Sequence, residues 1–256
     1  YSSRSDFIAK NMSTFEWLDV FHDLFRRSLT ILALAGAFAT TPTLAQDLTI
    51  SITNLTHGSY FTPFLVAAHA SGNHIFQLGT TASTNLQAMA EGGDISGLSA
   101  DMAAVNADSV ANPAGGLLAP GATTTFDLTH STTNDHLSLT AMILPTNDGF
   151  VGADSLSIPT AAGTYRYQLN AYDAGTEAND EIINGGGAPG VAGVPADPGG
   201  QNGTGATGVT TAETNAHVHI HRGVLGDSDE SAGVSDLNSS VHRWLNPVAQ
   251  LVITVN

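Results

Sequence analysis

The sequence contains no cysteine and few basic residues. Without cysteine, the chain can form no disulfide bond, carry no thiol nucleophile and build no thiolate metal site. It has 7 Lys and Arg against 23 Asp and Glu, for a formal net charge of -16 at pH 7. A surface of this sign repels nucleic acid and anionic lipid and attracts divalent cations. Acidic residues also keep secreted proteins dispersed, so the charge by itself fits either cation binding or solubility.

Long apolar runs are scarce as well. One short run, residues 29–39 (LTILALAGAFA), follows Arg26 and Arg27 and precedes small residues that end at Ala45. This pattern predicts a secretory signal that is cleaved after Ala45. The run is too short for a comfortable bilayer crossing, so we expect no stable membrane span after cleavage. A membrane anchor or a buried helix is the alternative interpretation.

The resulting division is a signal and upstream segment, residues 1–45, followed by one domain, residues 46–256. Four of the seven basic residues and four of the 23 acidic ones lie in the first segment. The mature chain then keeps three arginines, no lysine and 19 acidic residues, so its net charge stays at -16. We expect it to be secreted, to the extracellular space, the cell surface or the periplasm.

Apolar and polar residues alternate in several short segments of the mature chain, which is typical of strands with one buried face. Residues 84–91 (TNLQAMAE) instead predict a short helix that ends at Gly92-Gly93. A stretch rich in Gly and Pro, residues 185–208, predicts a long surface loop. Many short strands separated by turns indicate an all-β sandwich or barrel. The predicted strands are residues 47–54, 60–69, 123–129, 136–144, 165–172, 217–221 and 248–255.

Two acidic turns flank a predicted strand between residues 145 and 181. Asp148 lies in the first turn, and Asp173 and Glu177 lie in the second. A strand between them can bring both turns to one end of a sheet. Carboxylates gathered there, with Asn and Gly around them, suit a hard cation such as calcium. The other interpretation is that both are solvated turns of an acidic protein.

The two turns also carry a family resemblance. The segments NDGFVGADSL (residues 147–156) and LNAYDAGTE (residues 169–177) resemble the spondin domain, the N-terminal module of F-spondin that also occurs in secreted bacterial proteins. The resemblance extends from about Leu48 to the C-terminus. It implies a C2-like antiparallel β-sandwich with one or two short helices. It also implies calcium binding by Asp148, Asp173 and Glu177, and Asp180 and Glu181 are close enough in sequence to join them.

The chain departs from the animal pattern of that family at several positions. Gly149 and Tyr172 stand where Trp is usual, Glu177 replaces Asp, and the animal disulfides are absent. Three acidic side chains remain for calcium, while an animal-type partner surface is in doubt. The resemblance thus implies a secreted, non-enzymatic module for cell-surface or extracellular binding and adhesion. Its partner, an extracellular protein or a glycan, and its oligomeric state are left open, and no nucleic acid partner is expected.

A second motif supports a different function. In the run His217-Val218-His219-Ile220-His221, the three histidines share one face if the segment is a strand. Three imidazoles on one face suit copper or zinc, so the alternative function is a periplasmic or extracellular copper- or zinc-binding protein. The competing interpretation is an ordinary polar face of an edge strand.

Catalytic motifs are missing from the sequence. It has no G-x-S-x-G elbow, no H-E-x-x-H pair and no phosphate-binding loop. Asp148 and Asp173 can be considered a glycosidase pair, which gives a hydrolase as a third class. We expect no enzymatic activity.

Overall fold

The computed structural model describes residues 45–200, 202–229 and 231–256, so the predicted signal lies outside the described residues except for Ala45. The described chain contains ten strands and two short helices. The strands are β1 (Ala45–Asn54), β2 (Tyr60–Phe61), β3 (Leu65–His69), β4 (Asp108–Ala111), β5 (Thr123–Ser131), β6 (His136–Leu144), β7 (Gly149–Ser157), β8 (Gly163–Asp173), β9 (His219–Ile220) and β10 (Ala249–Val255). The helices are α1 (Thr84–Gly92) and α2 (Ser96–Ala104).

All strand pairs are antiparallel and belong to one sheet with the order β4-β3-β6-β7-β8-β10-β1-β5, while β2 pairs with β6 and β9 with β8. The sheet is nearly closed into a barrel. Its two edge strands are joined by a side chain of one and the backbone of the other, since the Asp108 carboxylate on β4 accepts a hydrogen bond from the Ser131 amide at the end of β5 (2.8 Å). The all-β prediction is confirmed, whereas the sandwich and its C2-like topology stay predictions.

Strands β1, β5, β8 and β10 have one buried and one open face. Leu48, Ile50 and Ile52 of β1 are fully buried in the barrel core, and the residues between them are partly exposed. The open face carries hydroxyl pairs such as Ser51 with Thr125 at 2.8 Å. This alternation is what the period of two in the sequence predicts for strands with one solvated face.

Strand β6 is buried on both faces. Its residues Leu139 and Ala141 face the barrel core, while Met142 packs on the outside with helices α1 and α2. Helix α1 begins at the cap Ser83, whose hydroxyl accepts from the Leu86 amide (3.1 Å), and Gly93 ends it in the left-handed conformation. The predicted helix is thereby confirmed, and the pair of helices gives the sheet a second, outer core.

Some segments differ from the strand predictions. The segment 60–69 is divided into β2 and β3, and only His219–Ile220 of the predicted strand 217–221 is a strand. Residues 185–208 contain no strand among the described positions, as predicted for a surface loop. In the described part of the chain, no helix is both long and apolar enough to cross a membrane.

Carboxylates hold the long loops in place by accepting backbone N–H groups. Asp236 accepts from the amides of Ile183 and Thr204 (both 2.7 Å), and Glu91 at the end of α1 accepts from the Gly190 amide (2.6 Å). Asp227 accepts from the amides of Val234 and Ser235. Hydrogen bonds to a charged acceptor are stronger than neutral ones, so these contacts order loops that bury little apolar surface.

Candidate functional site

The first acidic turn, residues 145–148, connects β6 to β7. The Thr146 hydroxyl donates to the Ile143 carbonyl (2.6 Å) and accepts from the Gly149 amide (3.0 Å), which closes the turn tightly. This places Asp148 directly before β7 with no exposed surface. The turn is therefore a rigid, buried element, and the interpretation as a solvated loop is wrong for Asp148.

The Asp148 carboxylate is only half satisfied. Its Oδ2 accepts from the backbone amides of Thr176 (2.8 Å) and Glu177 (3.1 Å) and from the Thr176 hydroxyl (3.2 Å). Its Oδ1 is buried and has no hydrogen-bond partner among the residues that the structure describes. Since an unpaired buried polar atom is costly, Oδ1 is a position where a proton or a cation stabilises the fold.

The second acidic turn, residues 173–177, lies beside the first because β7 and β8 pair Gly149 with Asp173. The Ala174 amide donates to the Asp148 carbonyl (3.2 Å), which joins the two turns. Asp173 is also buried, and its carboxylate accepts from the Gly175 amide (2.9 Å) and the Asn179 side chain (2.8 Å). Burial, together with the nearby Asp173 charge, raises the pKa of the Asp148 carboxyl to about 8.

Glu177 reaches this pair through its backbone rather than its side chain. Its amide donates to Asp148, while its carboxylate accepts from the Gly193 amide (3.0 Å) and the Asn147 side chain (3.5 Å). Burial, with a smaller contribution from Glu91, raises the pKa of Glu177 to about 7. Its Oε1 is buried without a partner. The structure thus brings Asp148 and Asp173 together and directs the Glu177 carboxylate toward the loop at Gly193.

Asp180 and Glu181 serve other contacts. Asp180 accepts from the Asn147 side chain (2.8 Å) and from the Ile182 amide (3.0 Å). Both oxygens of Glu181 are occupied, by the amides of Leu225 (2.6 Å) and Gly226 (2.9 Å) and by the Ser235 hydroxyl (2.6 Å). In this arrangement Glu181 holds the loop that follows β9.

The three histidines of the second motif occupy different environments. His217 is exposed, His219 is partly exposed on β9, and His221 is buried. Val218 is buried but Ile220 is 47% exposed, so the two apolar residues do not share a buried face. Only His219–Ile220 of the predicted strand 217–221 is a strand, and the His221 amide adds one more hydrogen bond to β8 by donating to the Ala171 carbonyl (3.1 Å). The three imidazoles therefore do not lie on one regular strand, and they differ in burial.

His221 is instead a neighbour of the acidic turns, which the sequence did not reveal. A Cβ on Gly149 would lie 3.0 Å from the His221 ring, so the missing side chain leaves room for the imidazole. The ring packs against Trp244, with centroids 5.4 Å apart. Burial lowers the pKa of His221 to about 4, with the Asp173 charge acting in the opposite direction. Its Nε2 has no hydrogen-bond partner, and His219 Nε2 lies 3.8 Å from Asp173 Oδ2.

The chemistry available here is that of a buried acidic pair bordered by imidazole. Across the described residues, no group of three or more His, Asp or Glu side chains is arranged to hold a metal ion. The Asp148–Asp173 pair nevertheless fits a cation, because two buried like charges repel and Asp148 Oδ1 lacks a donor. Calcium also accepts backbone carbonyls and water as ligands, so a site needs few carboxylates.

Comparison with known proteins agrees with the position of this site. The sequence model of the Spondin_N family matches residues 53–181, just over half of the chain, and the match includes both acidic turns. Comparison with curated proteins gives no match. Spondin domains are typically extracellular and generally non-enzymatic. On the strength of this match and of the turns it contains, the chain belongs to the Spondin_N family.

Proposed function

We propose that this chain is a secreted, non-enzymatic binding module in which Asp148 and Asp173 hold a calcium ion. The observation that carries the proposal is the unpartnered, fully buried Oδ1 of Asp148 beside a second buried carboxylate. Its partner is an extracellular protein or a glycan, and adhesion is the role that the family suggests.

The cation would act as a structural link. Without it, Asp148 and Asp173 can be charged together only against their mutual repulsion, and the proton held by Asp148 relieves that repulsion. A bound calcium ion replaces the proton, neutralises both carboxylates and fixes the first acidic turn to the second. The residues of this chain then keep the β7 and β8 ends in register, which presents the surrounding loops in one conformation.

The main test is the calcium dependence of thermal unfolding in protein stripped of metal. Ligand that binds only the folded state stabilises by about 2.7 kcal/mol at a hundredfold excess over the dissociation constant. Millimolar calcium should therefore raise the melting temperature, and magnesium should raise it less because it demands tighter octahedral geometry. Asp173→Asn should lose most of the calcium effect, since it removes charge while preserving size.

Asp127→Asn is the matched control, because Asp127 lies on the exposed face of β5 and accepts only from Thr49 there. Its calcium response should equal that of the unmodified protein. Glu177→Gln shows separately whether the Glu177 carboxylate is a ligand, as the family resemblance implies. A calcium response in Asp173→Asn as large as that of the unmodified protein would sink the calcium proposal.

A transition metal is the second candidate, and the buried, unpartnered Nε2 of His221 supports it. In this form of the site, the chain supplies fewer than three side-chain ligands, the His221 imidazole and the Asp173 carboxylate, and solvent would complete the coordination. The exposed His217 is not a ligand. Imidazole with carboxylate suits zinc or copper better than calcium. Metal analysis of protein purified without a histidine tag distinguishes the two: zinc or copper that is lost in His221→Gln supports this candidate, and calcium that persists in His221→Gln contradicts it.

Secretion is tested by the mature N-terminus. The signal pattern predicts that secreted protein begins at Gln46 or within a few residues of it. Mass spectrometry of the intact secreted chain measures this directly. A secreted chain that retains residues 29–39 would contradict the predicted processing.

A further inference from the structure

Strands β7 and β8 form a hairpin that is paired only at the end away from its turn. Their ladder covers four residue pairs, from Gly149 with Asp173 to Gly152 with Asn170. Past Gly152, β7 continues on β6 as far as Ser157, and β8 continues on β10 as far as Gly163. The two strands of the hairpin therefore diverge toward their own connecting turn and open a cleft within the sheet.

A bulge explains the divergence. The register between β6 and β7 shifts between Leu137 and Leu139, where Ser155 takes a left-handed conformation (φ 51°) and its amide donates to the Ser138 hydroxyl (2.8 Å). A bulge bends its strand and increases the local twist. The Ile158 amide then donates to the Asp135 carbonyl (2.8 Å), which draws the end of β7 toward the β5–β6 turn and away from β8.

The cleft, which we call the β7–β8 cleft, has a volume of about 310 Å³. Ala153 and Leu169 lie at its base, and Leu156 and Tyr167 form its sides. Asp154 and Gln168 provide its polar groups, and the Asp154 carboxylate also lies 3.0 Å from His74 Nδ1. Phe76 and Tyr172 close one end, with ring centroids 5.0 Å apart, and the neighbouring Leu78 is 53% exposed.

The β8 side of the cleft carries a row of backbone groups without a strand partner. The amide of Ala171 bonds Asn246 and its carbonyl bonds His221, so both groups point away from β7. Because successive residues of a strand direct these groups to opposite sides, those of Gln168 and Arg166 point into the cleft. The ladder with β7 has already ended at Asn170, so neither residue has a β7 partner.

We propose that the β7–β8 cleft binds an extended peptide segment that pairs with β8 as an added strand and places a basic side chain at Asp154. An incoming strand supplies the donors and acceptors that the free edge requires, and the apolar base takes the side chain that points inward. The basic residue follows from the charge of the domain, which is -16, and from the carboxylate inside the cleft. A saccharide lacks the alternating amide and carbonyl groups that would match the row on β8.

The inference rests on the proposed role of the chain as a binding module, but not on the calcium ion. If Asp173→Asn kept the full calcium response, or if no calcium bound at all, the calcium proposal would fail and the peptide experiment on the cleft would be unaffected. Conversely, a failure of peptide binding would leave the calcium experiment unaffected.

The test uses the full secreted protein, labelled with ¹⁵N, and two capped heptapeptides that alternate threonine and valine around a central lysine or glutamate. The lysine peptide should shift the amide resonances of Arg166 and Gln168 and slow their hydrogen exchange. The glutamate peptide should bind at least about tenfold more weakly, since like charges then meet in the cleft.

Two pairs of variants distinguish backbone pairing in the cleft from nonspecific attraction of a basic peptide to the negatively charged protein. Gln168→Ala removes a side chain that lines the cleft but keeps the backbone amide, so the peptide should still bind, whereas Gln168→Pro removes the amide and should abolish binding. Asp154→Asn should weaken binding of the lysine peptide about fivefold, while the same change on the exposed face, Asp127→Asn, should leave it unchanged. The aspartate pair and the exchange measurement decide the outcome if Gln168→Pro fails to fold.

Three results would overturn the proposal. One is the absence of any peptide effect on Arg166 and Gln168 at millimolar concentration. Another is an equal loss in Asp127→Asn and Asp154→Asn, which would show attraction to the overall negative charge. The third is binding of neutral oligosaccharides that perturbs Tyr167 and Tyr172 while neither peptide binds, which would assign the cleft to glycans instead.

Discussion

The two halves of the sheet differ in what covers their outer face. In the half formed by β1, β5, β8 and β10, polar residues face outward, and burial alternates residue by residue. In the half formed by β3, β6 and β7, helices α1 and α2 and the loops lie over the outer face, so β6 is buried throughout most of its length. The first acidic turn belongs to this covered half, and the second continues from the end of β8 beside it. The Asp148 carboxylate is buried against the second turn, where it accepts from Thr176 and Glu177.

The two halves should differ most in how much unfolding free energy is lost when an outward-facing apolar side chain is shortened to alanine. Met142 on β6 is fully buried under the helices, whereas Val252 on β10 is only partly buried on the open face. Met142→Ala should lower the free energy of unfolding by about 2–5 kcal/mol, as for other buried residues. Val252→Ala should cost less than about 1 kcal/mol. Denaturant unfolding measures both, and equal costs would remove the distinction between the halves.

Loops over the covered half depend on carboxylates rather than on apolar contacts. Glu181→Gln removes the charge that accepts from Leu225, Gly226 and Ser235. It should lower stability by about 1–3 kcal/mol and speed amide exchange at Leu225 and Gly226. Glu213→Gln is the control, because Glu213 is less buried and accepts a local bond from Asn215. Unaltered exchange at Leu225 in Glu181→Gln would contradict this role.

The buried carboxylates also predict how stability depends on pH. The folded state raises the pKa of Asp148 from 3.8 to about 8 and that of Glu177 from 4.5 to about 7, so it holds these protons more tightly than the unfolded chain. The free energy of unfolding should therefore fall as the pH rises through this range. His221 has the opposite effect on the free energy of unfolding, because folding lowers its pKa from 6.5 to about 4. Its contribution makes stability rise with pH, mainly below pH 6.5.

Between pH 6.5 and 8, the carboxylate contribution is the larger one, because the unfolded histidines lose their remaining protons within this interval. Metal-free protein should lose about 1–2 kcal/mol over this interval, and Asp148→Asn should lose much less. Saturating calcium should flatten the slope as well, because the cation takes the place of the proton. Chemical unfolding at several pH values measures the slope. A slope that is the same in Asp148→Asn and in the unmodified protein would show that Asp148 is not the group responsible.

The smallest expected effect lies on the open face. Ser51→Ala removes one partner of the exposed hydroxyl pair with Thr125. Water replaces the lost partner, so the change in unfolding free energy should stay within about 0.5 kcal/mol. A loss above about 1 kcal/mol in thermal unfolding would mean that this face is not solvated and that the two halves resemble each other more than their burial suggests.

The sequence predicted the open half better than the covered half, for a physical reason. Strands such as β1 and β10 face water on one side, so their composition alternates and can be recognised locally. Strand β6 was predicted from its apolar inner face, but nothing in its sequence specified what covers the other face. Barrel closure depends on contacts such as Asp108 with Ser131, which are distant in the chain and leave no local pattern.

Only part of the candidate site could be predicted, again because contacts between distant segments leave no local sequence pattern. Asp148 directly precedes β7, and Asp173 ends β8, the neighbouring strand of the same hairpin. The two sequence motifs were therefore enough to predict that these carboxylates lie close together. The direction of the Glu177 carboxylate depends on Gly193, a residue of the Gly-rich loop whose position has no sequence signal. His221 is far along the chain from Asp148, and the feature of the sequence that bears on its place is Gly149, which stands where the family resemblance implies a Trp.

The contacts between carboxylates and loop amides have a consequence for how the surface can change. A carboxylate that accepts a backbone N–H places no demand on the side chain of the donor residue. Leu225 and Val234, each about half exposed, are held this way by Glu181 and Asp227. Almost any residue except proline can replace them while the loop keeps its course. The acidic residues thus fix the backbone course of the loops while leaving their exposed side chains free to vary. New contact residues can therefore be selected or engineered there without redesigning the fold.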